Sequence, residues 1–175
     1  LGWFKKEVTS AGDLNGVKYR TVGLSADLFK EMGAAVTIMG GGEIVPAMDR
    51  GLLDAAEFNN PSSDKLLGFA DVSKDYMLQS YHQSAESFEI VFNKAKFDAL
   101  APELQAIIKY ASEASSADMS WKAMDRYSTD LAALKEAGVK VHKTPDSVLQ
   151  AQLAAWDKVL AAQSAEPFFA KVLES

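Results

Sequence analysis

The 175-residue chain has no cysteine, so it can form no disulfide and carry out no thiolate chemistry, although this absence suits a reducing or an oxidising compartment equally. It has no apolar run long enough to span a bilayer. It also lacks a charged start followed by an apolar h-region and a small-residue cleavage site. Basic charge is in deficit: eighteen Lys and Arg face twenty-four Asp and Glu, for a net charge of −6. No Lys and Arg cluster is interleaved with aromatics, which argues against nucleic acid as a partner. No Ser-His-Asp, His-x-His or cysteine-centred constellation is present, and there are no internal repeats or low-complexity tracts. What remains is 48% hydrophobic and 24% charged, the balance of a folding globular protein. The length allows one large domain or two small lobes. The apolar start Leu1-Gly2-Trp3-Phe4, with no initiator methionine, suggests a fragment.

The most ordered pattern runs from Leu14 to Asn60. The turn signal Asn15-Gly16 opens an alternating β-prone run, Val17 to Val22, closed by Gly23. Leu24 to Met32 follows with Leu24, Leu28, Phe29 and Met32 on one helical face and Gly33 as its stop. Val36 to Met39 reads as a second strand, ended by Gly40-Gly41-Gly42. Glu43 to Arg50 reads as a second helix, and Leu52 to Phe58 as a third strand. Strand, helix, strand, helix, strand with connections too long for hairpins predicts right-handed crossovers, parallel strands and an α/β fold.

In an open parallel sheet the crevice beyond the carboxyl ends of the strands is the usual ligand site. Arg20 and Glu57-Phe58 fall at such ends. A guanidinium there suits a carboxylate because it offers two parallel hydrogen bonds in a fixed fork. From spacing alone, an Arg20 to Glu57 ion pair or an exposed strand arginine accounts for the pattern equally well.

Beyond Asn59 the signals loosen. Asn59 to Asp64 is a loop signal, and the segment to Ser84 mixes short helix and strand. Ser87 to Phe92 reads as a strand, and Lys94 to Leu100 as a short helix. Pro102 opens a long helix whose apolar spacing continues to Leu134. Unbroken to Glu136, it would be about 50 Å long, which implies that it bridges two lobes. Val139 to Lys143 alternates as a strand. Val148 to Ala162 is amphipathic with Leu149, Leu153, Trp156 and Leu160 aligned, and Pro167 begins a last short helix.

The ordered set Asp13 to Arg20, Met32-Gly33-Ala34, Pro46 to Gly51 and Leu53 to Phe58, continuing through Asn93 to Leu100 and Pro167-Phe168-Phe169, resembles a known family. It is similar to the DctP-type solute-binding subunits of tripartite ATP-independent periplasmic (TRAP) transporters, and the likeness covers nearly the whole chain as a C-terminal half. The resemblance implies a periplasmic-binding-protein-like α/β fold, two lobes with crossing strands backed by a long bridging helix. By it, residues 1–56 belong to one lobe. Residues 57–92 form a crossover segment contributing to the other, and 93–175 hold the bridging helix, a short strand and C-terminal helices. It further implies a periplasmic location, membrane permease subunits as partners, a small organic acid as ligand, and a homodimer formed through helices.

The branch that binds 2-oxo or 2-hydroxy acids with a metal ion looks most similar. By that resemblance Arg20 pairs with the ligand carboxylate, and the Glu57 carboxylate and Phe58 carbonyl are metal ligands. The segment Tyr81-His82-Gln83 lines the ligand and completes the metal site through Gln83, which stands where a Glu is expected. Oxygen ligands of this kind suit Ca²⁺ or Na⁺. No catalytic cofactor or catalytic residue is implied.

Other residues read more plainly. His82 beside Tyr81 suits a hydrogen-bonded packing residue, and His142 in a Lys-rich strand suits exposure. Gly40-Gly41-Gly42-Glu43 lacks a phosphate-loop lysine and reads as a turn. Met119, Trp121 and Met124 at helical spacing suggest core, and Asn59 and Asn60 suit loop capping. Two competing classes stay open: an enzyme in which a metal at Glu57 polarises a carbonyl, and a helical dimerisation module over Glu103 to Glu136.

Overall fold

A computed structural model describes residues 1–83 and 88–174. The chain begins with strand β1 (Gly2–Phe4), then β2 (Lys18–Arg20), helix α1 (Leu24–Glu31), β3 (Ala35–Thr37), α2 (Gly41–Asp49) and β4 (Ala55–Ala56). Short helices α3 (Pro61–Leu67) and α4 (Phe69–Val72) lead to β5 (Asp75–Met77). Beyond lie α5 (Lys94–Asp98), the long α6 (Pro102–Glu136), β6 (Lys140–His142), α7 (Asp146–Gln163) and α8 (Pro167–Leu173).

The strands form one six-stranded sheet in the order β3-β2-β4-β1-β5-β6. β2 runs parallel to β3 and β4, as the two crossovers demand, and β5 runs parallel to β6. β1 is antiparallel to both neighbours, β4 and β5, and so joins the two parallel sets. The apolar start Leu1 to Phe4 therefore supplies a central strand.

Strand alternation divides the core between the two faces of the sheet. Phe4, Tyr19, Ala55 and Met77 meet Leu28 and Phe29 of α1 and Val148 and Ala155 of α7. Trp3, Ala56 and Tyr76 meet Ile44, Ala47 and Met48 of α2, Phe69 of α4 and Leu134 near the end of α6. Trp3 is fully buried, stacks on Tyr76 with ring centroids 4.3 Å apart, and donates from Nε1 to Oδ2 of Asp64 at 2.9 Å. β5 thus holds residues 75–77 of the 57–92 segment in the same sheet as β1 to β4.

Three expectations are corrected. Residues 88–92 form no strand; Phe88, Ile90, Val91 and Phe92 are exposed, and no described strand pairs with this segment to supply the hydrogen bonds an extended run needs. Ser87 lies outside the described residues. Met119, Trp121 and Met124 are not core: Trp121 is 72% exposed, because among the described residues α6 buries a side chain only near its C-terminal end, at Leu134, close to where Lys65 of α3 reaches Asp130 at 2.8 Å. His142 is not exposed. Parallel pairing of β6 with β5 sets it diagonally from Asp75, so its Nε2 lies 2.8 Å from Asp75 Oδ1 and its Nδ1 3.3 Å from Glu7 Oε1.

Candidate functional site

Arg20 ends β2 and is in register with Ala56 on β4, so Glu57 and Phe58 leave the sheet beside it. The Glu57 amide donates to the Arg20 carbonyl at 3.3 Å. Parallel neighbours bring both carboxyl ends to one edge, as the crossover reading requires.

Arg20 is only 4% exposed. Its Nη1 donates to the Glu57 carbonyl at 2.8 Å and to Glu57 Oε1 at 3.0 Å, while Nε and Nη2 donate to the Met39 carbonyl at 3.1 and 2.9 Å. Four of its five N–H donors are therefore engaged within the protein. The ion pair with Glu57 is formed, and one N–H of Nη2 has no partner among the described residues. Burial pushes the Glu57 carboxyl up to about 7, outweighing the attraction of Arg20. The second Glu57 oxygen, Oε2, lies 4.0 Å from His82 Nε2.

Phe58 packs its ring on the first turn of α2. A Cβ at Gly41 would stand 2.5 Å from Phe58 Cε2, so the glycine is what admits the ring. The Phe58 carbonyl accepts a long bond, 3.4 Å, from Gln83 Nε2. Glu57, Phe58, Asn59, Tyr81, His82 and Gln83 share the wall of a cleft of about 480 Å³. Arg20 stands behind Glu57 rather than on that wall. Asn60 caps α3 by accepting from the amides of Ser62 and Ser63, and the Asn59 amide donates to Asp64, so both serve the loop.

The other side of the wall rests on α7. Gln152 Nε2 donates to Ser80 Oγ at 2.6 Å, so the Ser80 hydroxyl proton is free to bind Nδ1 of His82. Burial takes the His82 pKa down to about 3, keeping it neutral. The network therefore assigns its single ring proton to Nε2, the atom that faces Glu57 and has no hydrogen-bond partner among the described residues. The packing role read for His82 holds, with this one polar atom buried and turned to Glu57.

No cluster of three or more His, Cys, Asp or Glu side chains suited to a metal occurs among the described residues. The donors that do converge are of another kind: the Glu57 carboxylate, the Phe58 carbonyl and the Gln83 amide, which exposes an oxygen when its two ends exchange. Hard oxygen donors with one negative charge fit Na⁺ or Ca²⁺ and do not fit zinc. A hollow of about 560 Å³ at the opposite end of the sheet is larger, but its acids are already engaged. Asp13 accepts from Thr9 and Ser10, and Asp54 pairs with Lys18.

Leu153, expected to face inward on α7, is 44% exposed, and Gln152 takes the buried position. The stripe Val148, Gln152, Ala155 and Val159 is the readable signal, with a polar residue in the middle of an apolar face.

Comparison with known proteins matches residues 1–166 to the model of the family described as bacterial extracellular solute-binding protein, family 7. A monocarboxylate 2-oxoacid-binding periplasmic protein of Nostoc sp. (strain PCC 7120) is 36% identical over 111 residues, 63% of this chain and 30% of its own length. A TRAP periplasmic solute-binding protein of Colwellia psychrerythraea, solved with bound calcium and pyruvate, superposes with a TM-score of 0.89 at 31% identity, over 99% of this chain and 53% of that one. Another, of Pseudoalteromonas atlantica with bound sodium and pyruvate, gives 0.81 at 28% identity over the same shares. The chain thus spans about half the length of these solved relatives, and both share its arrangement of a mixed sheet between helices.

Proposed function

Because this chain belongs to the bacterial extracellular solute-binding proteins of family 7, we propose that the protein captures a small 2-oxo or 2-hydroxy monocarboxylate in the cleft beside Glu57. In this reading it works in the periplasm and passes the acid to the membrane subunits of a TRAP transporter. The observation that carries the proposal is the convergence of the Glu57 carboxylate, the Phe58 carbonyl and Gln83 on one wall, with the Arg20 cation directly behind. Relatives solved with calcium and pyruvate or with sodium and pyruvate support it.

Glu57, the Phe58 carbonyl and Gln83 would hold the cation, which when bound supplies positive charge to the ligand's carboxylate and 2-oxygen. Glu57 would leave Arg20 Nη1 to hold that cation, and the carboxylate of the acid would take its place on the guanidinium. Tyr81, half exposed at the rim, covers the acid. Closure of the remaining cleft follows because the ligand contacts both sides only when they meet, the differential affinity that a population shift needs. No bond is made or broken. A base near Glu57 is what the enzyme reading requires, and His82 Nε2 carries a proton and so cannot accept one.

Titration calorimetry of the full-length protein with pyruvate, lactate and longer oxo acids, with calcium and with a chelator, tests the proposal. Cation-dependent heat with no product formed is the expected outcome; turnover, or equal affinity with and without cation for every acid, overturns it.

A further inference from the structure

We infer that Gln152 and Trp156 of α7 are positioning residues of the cleft, gripping the Tyr81 backbone so that Tyr81, His82 and Gln83 face Glu57 and Phe58. Gln152 is fully buried within an apolar stripe where valine or leucine would pack as well. An amide is costly in such a place unless its polar atoms are satisfied. Both are: Oε1 accepts from the Tyr81 amide at 2.9 Å, and Nε2 donates to Ser80 Oγ. One helical turn further on, Trp156 Nε1 donates to the Tyr81 carbonyl at 3.1 Å.

Residues four apart share a helix face, so the two side chains close on the two polar groups of a single peptide-bearing residue from one surface. Tyr81 lies past the end of β5, where no strand ladder serves its backbone. The hold is reinforced at the start of α7, where the Thr144 amide donates to Gln79 Oε1 at 2.9 Å. Four hydrogen bonds therefore fasten residues 79–81 to α7 and the turn before it, and the next two residues meet the site. His82 turns Nε2 toward Glu57, and Gln83 reaches the Phe58 carbonyl. A helix more than sixty residues away in sequence sets where one wall of the cleft stands.

The inference rests on the proposed solute binding for its affinity readout and on backbone geometry for a second one. Gln152→Met keeps length and volume without hydrogen bonds, and Trp156→Phe keeps a ring without its N–H. In the full-length protein Trp156→Phe, which loses one hydrogen bond, should weaken pyruvate binding in calcium chloride by about fivefold, and Gln152→Met, which loses two, by more than that. The double variant should fall short of the product of the two, because both act through Tyr81. Val148→Ala, which removes core volume from the same helix without a polar link to Tyr81, should lower the melting temperature and leave affinity within about twofold. Amide hydrogen exchange should quicken at Tyr81, His82 and Gln83 in both grip variants. Lower melting temperatures with affinity unchanged would make the role merely structural and overturn the inference. Should the unaltered protein not bind pyruvate, the solute reading fails by itself. Exchange then decides: faster exchange at Gln83 in the variants sustains the positioning role, and unchanged exchange overturns it. Trp156 is only partly buried, so its variant keeps the test open if Gln152→Met does not fold.

Discussion

Nη1 of Arg20 lies 3.0 Å from Oε1 of Glu57, and both side chains are withdrawn from solvent. The pair joins the ends of two parallel strands and places a cation behind a carboxylate at the edge of the cleft. Each member is buried because the other is. Removing one therefore differs in kind from removing both.

Arg20→Ala leaves a buried carboxyl without its cation and should cost about 3–5 kcal/mol of stability as well as abolish carboxylate binding. Arg20→Met combined with Glu57→Leu should regain most of that stability and none of the binding. Urea denaturation alongside calorimetry separates the two effects, and restored binding in the double variant would remove Arg20 from the ligand.

Glu57 should make the ligand-free protein less stable as pH rises. Burial raises its folded pKa from an ordinary 4.5 to about 7, so between these values the folded state holds a proton that the unfolded chain has released. Its stabilising contribution is complete below pH 4.5 and is lost as pH climbs through about 7, with a slope of at most about 1.4 kcal/mol per pH unit. Denaturation midpoints of the parent and Glu57→Gln, compared across that range, check it: the difference between them should change with pH, and a constant difference refutes the assignment.

Asp64 fastens α3 to the centre of the sheet by accepting from Trp3 Nε1 at 2.9 Å, Tyr76 Oη at 3.3 Å and the Asn59 amide at 3.2 Å. Asp64→Ala orphans three donors and should cost at least about 1–3 kcal/mol. Trp3→Ala, which empties a fully buried site, should cost about 3–5 kcal/mol. Tryptophan fluorescence during unfolding of the Asp64 variant reports the first loss directly, and an unchanged midpoint would contradict it.

Gly2 sits in β1 at a φ of +106°, and a Cβ there would stand 2.5 Å from the Ala56 carbonyl, next to Glu57. Gly2→Ala should therefore lose about 1–3 kcal/mol to backbone strain, and more as β4 is pushed aside. A drop in melting temperature accompanied by weaker solute binding is expected, since Glu57 moves with β4; wild-type affinity would show that the strand end is insulated from its neighbour.

The crossovers were legible because their cues are local. Gly33 and Gly51 stop helices, Asn15-Gly16 opens a strand, and apolar spacing marks the inner faces of α1 and α2, so the parallel set of β2, β3 and β4 follows from order alone. Leu1 to Phe4 was not legible as a strand because a strand with both faces buried carries no alternation. Residues 88–92 misled, since strand propensity by itself forms no strand where no described strand pairs with the segment.

By itself the sequence determined the α/β class, the two strand ends that carry Arg20 and Glu57, and the family resemblance. Each depends on residue type and on spacing along the chain. Tertiary structure alone decided that Arg20 faces Glu57 and Met39 rather than open solvent, that β1 lies in mid-sheet, and that Gln152 and Trp156 grip Tyr81. Those relations join residues far apart in the chain, through hydrogen bonds whose directions are set only once helices and sheet have packed.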